Sequence, residues 1–371
     1  MIFAENFLNF LKRKDINFFT GVPDSVLKSF TFPLEKYNKS KHIISTNEGS
    51  AVATAIGYHL SKKKIAAVYL QNSGLGNAIN PLISIASKEV YSIPMLLIIG
   101  WRGAPGLKDE PQHKAKGKIT SKLLKLLNIK KCILRKEKDF LKLSKLISYS
   151  KKNKIPVACL IEKNTIVSKK KINLDKNKIN NSKLSRGYVI EEILNKIKNN
   201  TKIISTTGFT SRELFQIRKN KKIYNSSDFY MVGGMGHSLT VSLGVAINSK
   251  KEVLCLDGDG SILMHMGAMG LAGEFGTKNL KHIILNNSSH ESVGGQLTIA
   301  GKINFSKLSK SLGYKNFYMA YNKKSLKMNL RKLVRSAGPS LLEIKIRNYA
   351  MKNLIRPDNL ISTKNRFMKN V

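Results

Sequence analysis

At 371 residues the chain has room for two domains of ordinary size, each able to bury its own core. Its 65 Lys and Arg against 23 Asp and Glu give a formal charge of +42, but the lysines run through the whole chain alongside Ile and Asn, so neither a nucleic-acid nor a membrane partner is expected. No apolar run reaches membrane-spanning length, Met1-Ile2-Phe3-Ala4-Glu5 lacks a basic region followed by an apolar core, and Cys132, Cys159 and Cys255 read as buried reduced thiols, which together suggest a cytoplasmic protein.

In chain order, the first half alternates helix near 4–13, strand 16–20, a helix after Pro23, strand 42–46, helix 48–60, strand 65–70 and helix 75–87. It continues with strand 94–99, a glycine- and proline-punctuated loop over 101–118 that is too long for a plain connection, and a helix near 119–127. Strand 132–134, helix 138–149 and strand 157–161 close it. Residues 163–184 are polar and lysine-rich and read as a linker, dividing the chain into domains 1–162 and 185–371. A second series follows: helix 186–198, strand 202–205, helix 210–218, the turn Gly233-Gly234-Met235-Gly236, helix 237–247, strand 317–321, helix 323–335 and strand 340–346. Regular alternation of this kind implies α/β domains, each a mainly parallel, doubly wound sheet covered on both faces.

Within the second series, Val253-Leu254-Cys255-Leu256 leads into Gly258-Asp259-Gly260-Ser261, and His282-Ile283-Ile284-Leu285 leads into Asn286-Asn287. Between the two polar turns lies a helix-length apolar stretch, 261–272, so the segment reads as strand, helix, strand. Such a unit sets both turns at the carboxyl ends of neighbouring parallel strands, where open α/β sheets bind ligands. Asp259, Asn287 and a loop carbonyl offer the oxygen set that a magnesium diphosphate takes, and Gly258 and Gly260 let the backbone come close to it. An Asp-Gly turn after a strand is also common without any ligand, and in the first half Glu48, opening a small-residue helix after Thr46-Asn47, equally fits a residue complementing a helix terminus.

Gly-Asp-Gly followed at this distance by Asn-Asn is similar to the cofactor signature of thiamine diphosphate enzymes. The resemblance implies that Asp259, Asn287 and the carbonyl of Ser289 bind Mg2+ and that Gly258, Gly260 and Ser261 cradle the diphosphate. It assigns Glu48 to the aminopyrimidine ring, Gly233 to a carbonyl contact with that ring, and Met235 to an apolar wedge beneath the cofactor. Gly21-Val22-Pro23-Asp24-Ser25, Gln71-Asn72-Ser73-Gly74-Leu75-Gly76-Asn77, Gly100-Trp101-Arg102-Gly103, Asp109-Glu110-Pro111-Gln112-His113 and Ser292-Val293-Gly294-Gly295-Gln296 resemble the phosphonopyruvate decarboxylase family. Leu354-Ile355-Arg356-Pro357 departs from that family's Leu-Gly-Arg-Pro by its isoleucine.

That family implies two domains of the thiamine diphosphate-binding fold joined without a central third domain, and active sites shared in a homodimer or higher homo-oligomer. The implied reaction is decarboxylation of 3-phosphonopyruvate, an anionic 2-oxo acid, to phosphonoacetaldehyde in phosphonate biosynthesis. Asp24, Ser25, Arg102 and Lys108 are the substrate candidates, and His113 the candidate proton donor, with His290 its rival. Sulfopyruvate decarboxylase, acting on a substrate of similar shape, is the alternative. A non-catalytic polyanion-binding protein retaining the fold is the second, and intact Glu48, Asp259 and Asn287 argue against it.

Overall fold

The structure is a computed structural model that describes residues 1–168, 182–222, 228–357 and 359–369, and only the backbone of residues 111 and 112. The expected linker at 163–184 falls largely on 169–181, outside the described residues. The chain divides into two compact units, Met1–Leu174 with Val293–Gln296, and Asp175–Ser292 with Leu297–Val371.

The strands of the first unit are β1 (Ile2–Phe3), β2 (Phe19–Gly21), β3 (His42–Ile44), β4 (Ala66–Gln71), β5 (Met95–Gly100), β6 (Lys130–Leu134), β7 (Val157–Ile161) and β8 (Ile166–Val167). Six of them form a parallel sheet in the order β3-β2-β4-β5-β7-β6, while β1 pairs with β8. The second unit contributes β9 (Lys202–Ser205), β10 (Asp228–Tyr230), β11 (Val253–Gly258), β12 (Leu280–Asn286), β13 (Asn316–Ala320) and β14 (Ser340–Lys345), parallel throughout in the order β10-β9-β11-β12-β14-β13. Counted along the chain within each sheet, both orders read 2-1-3-4-6-5. In each, the chain steps outward from its first strand and then returns to its other side. The crevices that bind ligands in such sheets therefore open between β2 and β4 in one unit and between β9 and β11 in the other.

Central strands such as β5, β7 and β12 are buried along their whole length, as parallel strands covered on both faces must be. Their apolar side chains feed two layers in each unit. Phe7, Phe30 and Leu143 lie on one face of the first sheet and Val52, Ala78 and Leu124 on the other; in the second, Val189, Leu214 and Leu330 oppose Leu239, Met269 and Phe305. Helix Ala4–Arg13 shows how these layers form: it buries Phe7, Leu8, Phe10 and Leu11, with Glu5 in its first turn and Lys12 and Arg13 in its last, matching the helix dipole.

Three sequence expectations change. The 101–118 segment is not all loop, because a helix runs from Pro111 to Leu126. Its polar composition and mid-helix Gly117 hide it, but a Cβ at Gly117 would overlap the Gly103 carbonyl, so the glycine serves a close backbone approach. The apolar stretch after Gly258 is two short helices, Asp259–Met264 and Ala268–Phe275. Finally, β10 and the helices Phe305–Ser311 and Leu360–Lys369 were not expected; the last of these seats Phe367 against the buried Lys202, whose ammonium donates to the Phe367 carbonyl at 2.8 Å.

Candidate active site

In the first unit, β3 ends at Ile44 and helix Glu48–Lys62 starts where Asn47 Oδ1 accepts the Ser50 N–H at 2.8 Å. That cap sets Glu48 in the first turn, where it is 5% exposed. Its Oε2 accepts from Asn77 Nδ2 at 2.7 Å, and burial raises its pKa above the usual carboxylate value against the opposing pull of that bond. Gly74 makes this position possible: a Cβ there would overlap Glu48 Oε1 and Cδ and lie 2.6 Å from Cγ.

The loops beside the β2/β4 crevice bring a second carboxyl into play. Asp24 is buried, accepts the backbone N–H groups of Val26 and Leu27 at 3.1 and 3.2 Å, and takes a 2.6 Å hydrogen bond from Gln71 Nε2 across the crevice. Burial raises its pKa despite these donors. Gly100 gives its Oδ2 room, and Arg102 Nη1 donates to Ser25 Oγ at 3.2 Å. The guanidinium's bidentate edge is already filled by Asp109, at 2.8 and 2.6 Å. Burial pushes the Asp109 carboxyl up, but the Arg102 hydrogen bonds outweigh it and hold that group well below its usual range.

His113 sits in the first turn of the Pro111–Leu126 helix, buried, with Nε2 4.0 Å from Glu110 Oε2 and Nδ1 without a hydrogen-bond partner. Burial, then Arg102, lowers its pKa to about 4, so the ring is neutral at pH 7, where an unperturbed histidine would still be about one-quarter charged. Lys108 is exposed.

The second unit gathers its candidates at the β9/β11 crevice. Asp259, 3% exposed at the end of β11, accepts from Thr298 Oγ1 at 2.6 Å, and burial lifts its pKa to about 6. Ser261 Oγ accepts from Thr206 Oγ1 at 2.8 Å and from the Gly236 N–H at 3.1 Å, which leaves its own O–H to donate elsewhere. After β12, Asn287 Oδ1 accepts the Ser289 N–H at 3.1 Å and Nδ2 donates to Glu291 Oε2 at 3.1 Å. Glu291 is in turn held by Arg186 at 2.6 Å, and Arg186 by the fully buried Glu213 at 3.2 Å. Gly233, Gly234 and Gly236 all have positive φ, and a Cβ at Gly236 would press on His265 at 2.6 Å. A Cβ at Gly260 would meet His290 Nδ1 at 3.0 Å and Met235 Cε at 3.4 Å, so these residues share one spot. Burial lowers the His290 pKa to about 4.

Two family descriptions match the chain: "Thiamine pyrophosphate enzyme, N-terminal TPP binding domain" over residues 1–123 and "Thiamine pyrophosphate enzyme, C-terminal TPP binding domain" over 204–344. "Phosphonopyruvate decarboxylase" of Streptomyces viridochromogenes is 30% identical over 91% of this chain and 86% of its own length. The protein of that name from Streptomyces hygroscopicus is 30% identical over 96% and 90%. "Sulfopyruvate decarboxylase subunit beta" of Methanocaldococcus jannaschii is 34% identical over 34% of this chain and 64% of its own length.

The chain belongs to the phosphonopyruvate and sulfopyruvate decarboxylase family. It is a thiamine diphosphate-dependent decarboxylase with both cofactor-binding domains of that family. The non-catalytic reading gives way accordingly.

The donors of this decarboxylase fit a hard dication beside the diphosphate. Asp259 is a buried carboxylate with no ion-pair partner among the described residues, and the turn after the neighbouring strand adds the Asn287 amide oxygen and the Ser289 carbonyl, the Asn287 nitrogen being taken by Glu291. Ser289 Oγ is buried without a hydrogen-bond partner, as expected where a ligand has still to be met. Sequence reasoning missed Asn77, Gly74, Thr298, Glu291 and Arg186 as members of the site. Gly74 and Asn77 lie inside a motif that was noticed, but Arg186 stands 105 residues from Glu291 and gives no local signal.

Proposed function

We propose that this decarboxylase acts on 3-phosphonopyruvate, releasing carbon dioxide and phosphonoacetaldehyde for phosphonate biosynthesis, with Mg2+ accompanying thiamine diphosphate. The observation that carries the reading is the closeness and extent of the match: the relatives named for phosphonopyruvate are 30% identical over 91% and 96% of the chain, whereas a relative named for sulfopyruvate is 25% identical over 80% of it.

Bound thiamine diphosphate supplies the sink for the electron pair left when the carboxylate departs. Glu48, desolvated and tied through Oε2 to Asn77, keeps Oε1 for a proton shared with the aminopyrimidine nitrogen. Gly233 would offer its carbonyl to the same ring, and Met235 would be its apolar support. Asp259, Asn287 Oδ1 and the Ser289 carbonyl hold the cation. Because Asn287 Nδ2 is committed to Glu291, the amide would offer its oxygen, not its nitrogen, to a metal held there. The free O–H of Ser261 would donate to the diphosphate, and Gly258 and Gly260 would admit its close approach.

Ser25, Arg102 Nη1 and Lys108 receive the anionic ends of the substrate, and Asp24, whose pKa burial raises, faces the reacting end. His113, its ring neutral, serves the reacting end as a hydrogen-bond donor through its N–H, with His290 the other candidate. The protein works as a homodimer or higher homo-oligomer, Glu48 of one copy serving cofactor held by another.

Purified protein given Mg2+ and thiamine diphosphate, with phosphonopyruvate and sulfopyruvate in parallel, tests the reading through carbon dioxide and aldehyde release. Preference for phosphonopyruvate supports it. Preference for sulfopyruvate, which closely resembles the same substrate in shape, moves the assignment to the other branch of the family.

A further inference from the structure

Two of the three cysteines read from the sequence as buried reduced thiols stand side by side. Cys132 on β6 is the register partner of Cys159 on β7, so both side chains stand on one face of the first sheet. Neighbouring strands run about 4.8 Å apart, inside the Cα separation of roughly 4.4–6.8 Å that a disulfide spans. Cys159 belongs to the apolar layer, fully buried, and Cys132 packs against it while remaining half-buried.

β6 is an edge strand, and Cys132 lines a cavity of about 930 Å³ between it and helix Phe140–Asn153. Lys131, Arg135, Lys136, Lys142 and Lys145 also line the cavity, whose one carboxylate is Asp139. Lys142 pairs with Asp139 at 3.3 Å and Arg135 with Glu162 at 2.7 Å, so the wall stays strongly positive. The Cys159 thiol, directly across the strand pair, lowers the Cys132 pKa, favouring the nucleophilic thiolate at the accessible member of the pair.

We infer that Cys132 and Cys159 form a reversible disulfide, made at the cationic cavity by anionic low-molecular-mass disulfides. Cys132 thiolate attacks one sulfur of the small disulfide and expels its partner as a thiolate, leaving a mixed disulfide. Cys159 then attacks the Cys132 sulfur, its proton passing to the second leaving thiolate. Two protein thiols are oxidised, one small disulfide is reduced to two thiols, and two electrons are transferred. The positive wall selects the oxidant by charge. Cys255, buried in the other unit, takes no part.

The full-length protein is incubated with glutathione disulfide, or with cystamine, a cationic disulfide, as the charge control. Intact mass and non-reducing tryptic mapping follow the product. Trypsin releases residues 132–135 and 155–163 as separate peptides after reduction. The expected result is loss of two hydrogens, one linked peptide pair, reversal by dithiothreitol, and formation at least tenfold faster with glutathione disulfide than with cystamine at low salt. Cys159→Ser should stop at the glutathione adduct on Cys132. A wild-type protein that stops at the adduct, links Cys255, stays reduced, or reacts equally with both oxidants overturns the inference.

Discussion

Gly74 and Gly76 stand two residues apart at the start of one helix, yet only Gly74 lies against the Glu48 carboxylate. An alanine Cβ at 74 would lie 2.6 Å from Glu48 Cγ and overlap the carboxyl group, whereas one at 76 would meet nothing within 4 Å. Backbone geometry does not separate the two substitutions, since Gly74 has φ of −82° and Gly76 lies within a helix. Restoring ordinary contact of at least 3.4 Å at Cγ moves that atom by about 0.8 Å, and Oε2 then leaves its 2.7 Å bond to Asn77. Overpacking of this kind costs ~1–3 kcal/mol of stability. A displacement near 1 Å in a reacting group lowers turnover by about 10²-fold. Gly76→Ala should be neutral or up to ~1 kcal/mol stabilising through helix propensity. Thermal melting and steady-state aldehyde release, run side by side on both variants with saturating cofactor, test this. Full turnover in Gly74→Ala, or an equal loss in Gly76→Ala, would refute the steric reasoning about Glu48.

Glu48→Gln keeps the shape and the Asn77 partner but cannot exchange a proton, so turnover should fall by roughly 10²–10⁴-fold with little change in melting temperature or cofactor affinity. Glu291→Ala frees the Asn287 amide, and half-saturating Mg2+ should rise ~10–100-fold, read from cofactor binding at graded metal. Asp259 holds protons more tightly folded than unfolded, so in chelator the cofactor-free protein should lose stability as pH rises from about 4 to about 6. Asp259→Asn should remove that slope, gaining up to ~3 kcal/mol at pH 8 while losing activity; an unchanged slope in a pH series of melts would count against an uncompensated Asp259 carboxylate.

The sequence was legible where one strand or helix carries its own signal. β7, β9 and helix Lys323–Arg335 fall where periodicity put them, because an apolar run or a capped amphipathic stripe needs no distant partner to be read. The strand pair around Asp259 and Asn287 was legible because each turn follows an apolar run. The Pro111–Leu126 helix was masked by lysines and by a glycine whose reason, contact with Gly103, lies fourteen residues back. The chain Glu213–Arg186–Glu291–Asn287 and the Thr298 contact to Asp259 could not be read at all, since they depend on which loops the 2-1-3-4-6-5 order brings together.

The shared strand order means that one scaffold has been used twice with different equipment at its rim. After the second strand in each count, one unit presents Glu48 and the other the turn from Gly233 to Met235; after the third, one presents Gln71 and Gly74 and the other Asp259 and Ser261. In the proposed function, the carboxylate that serves the cofactor ring and the residues that hold its diphosphate thus belong to separate modules, each with its own apolar layers. An engineer could redraw substrate preference through the loops after β2, β4 and β5 and leave the residues beside the diphosphate unaltered.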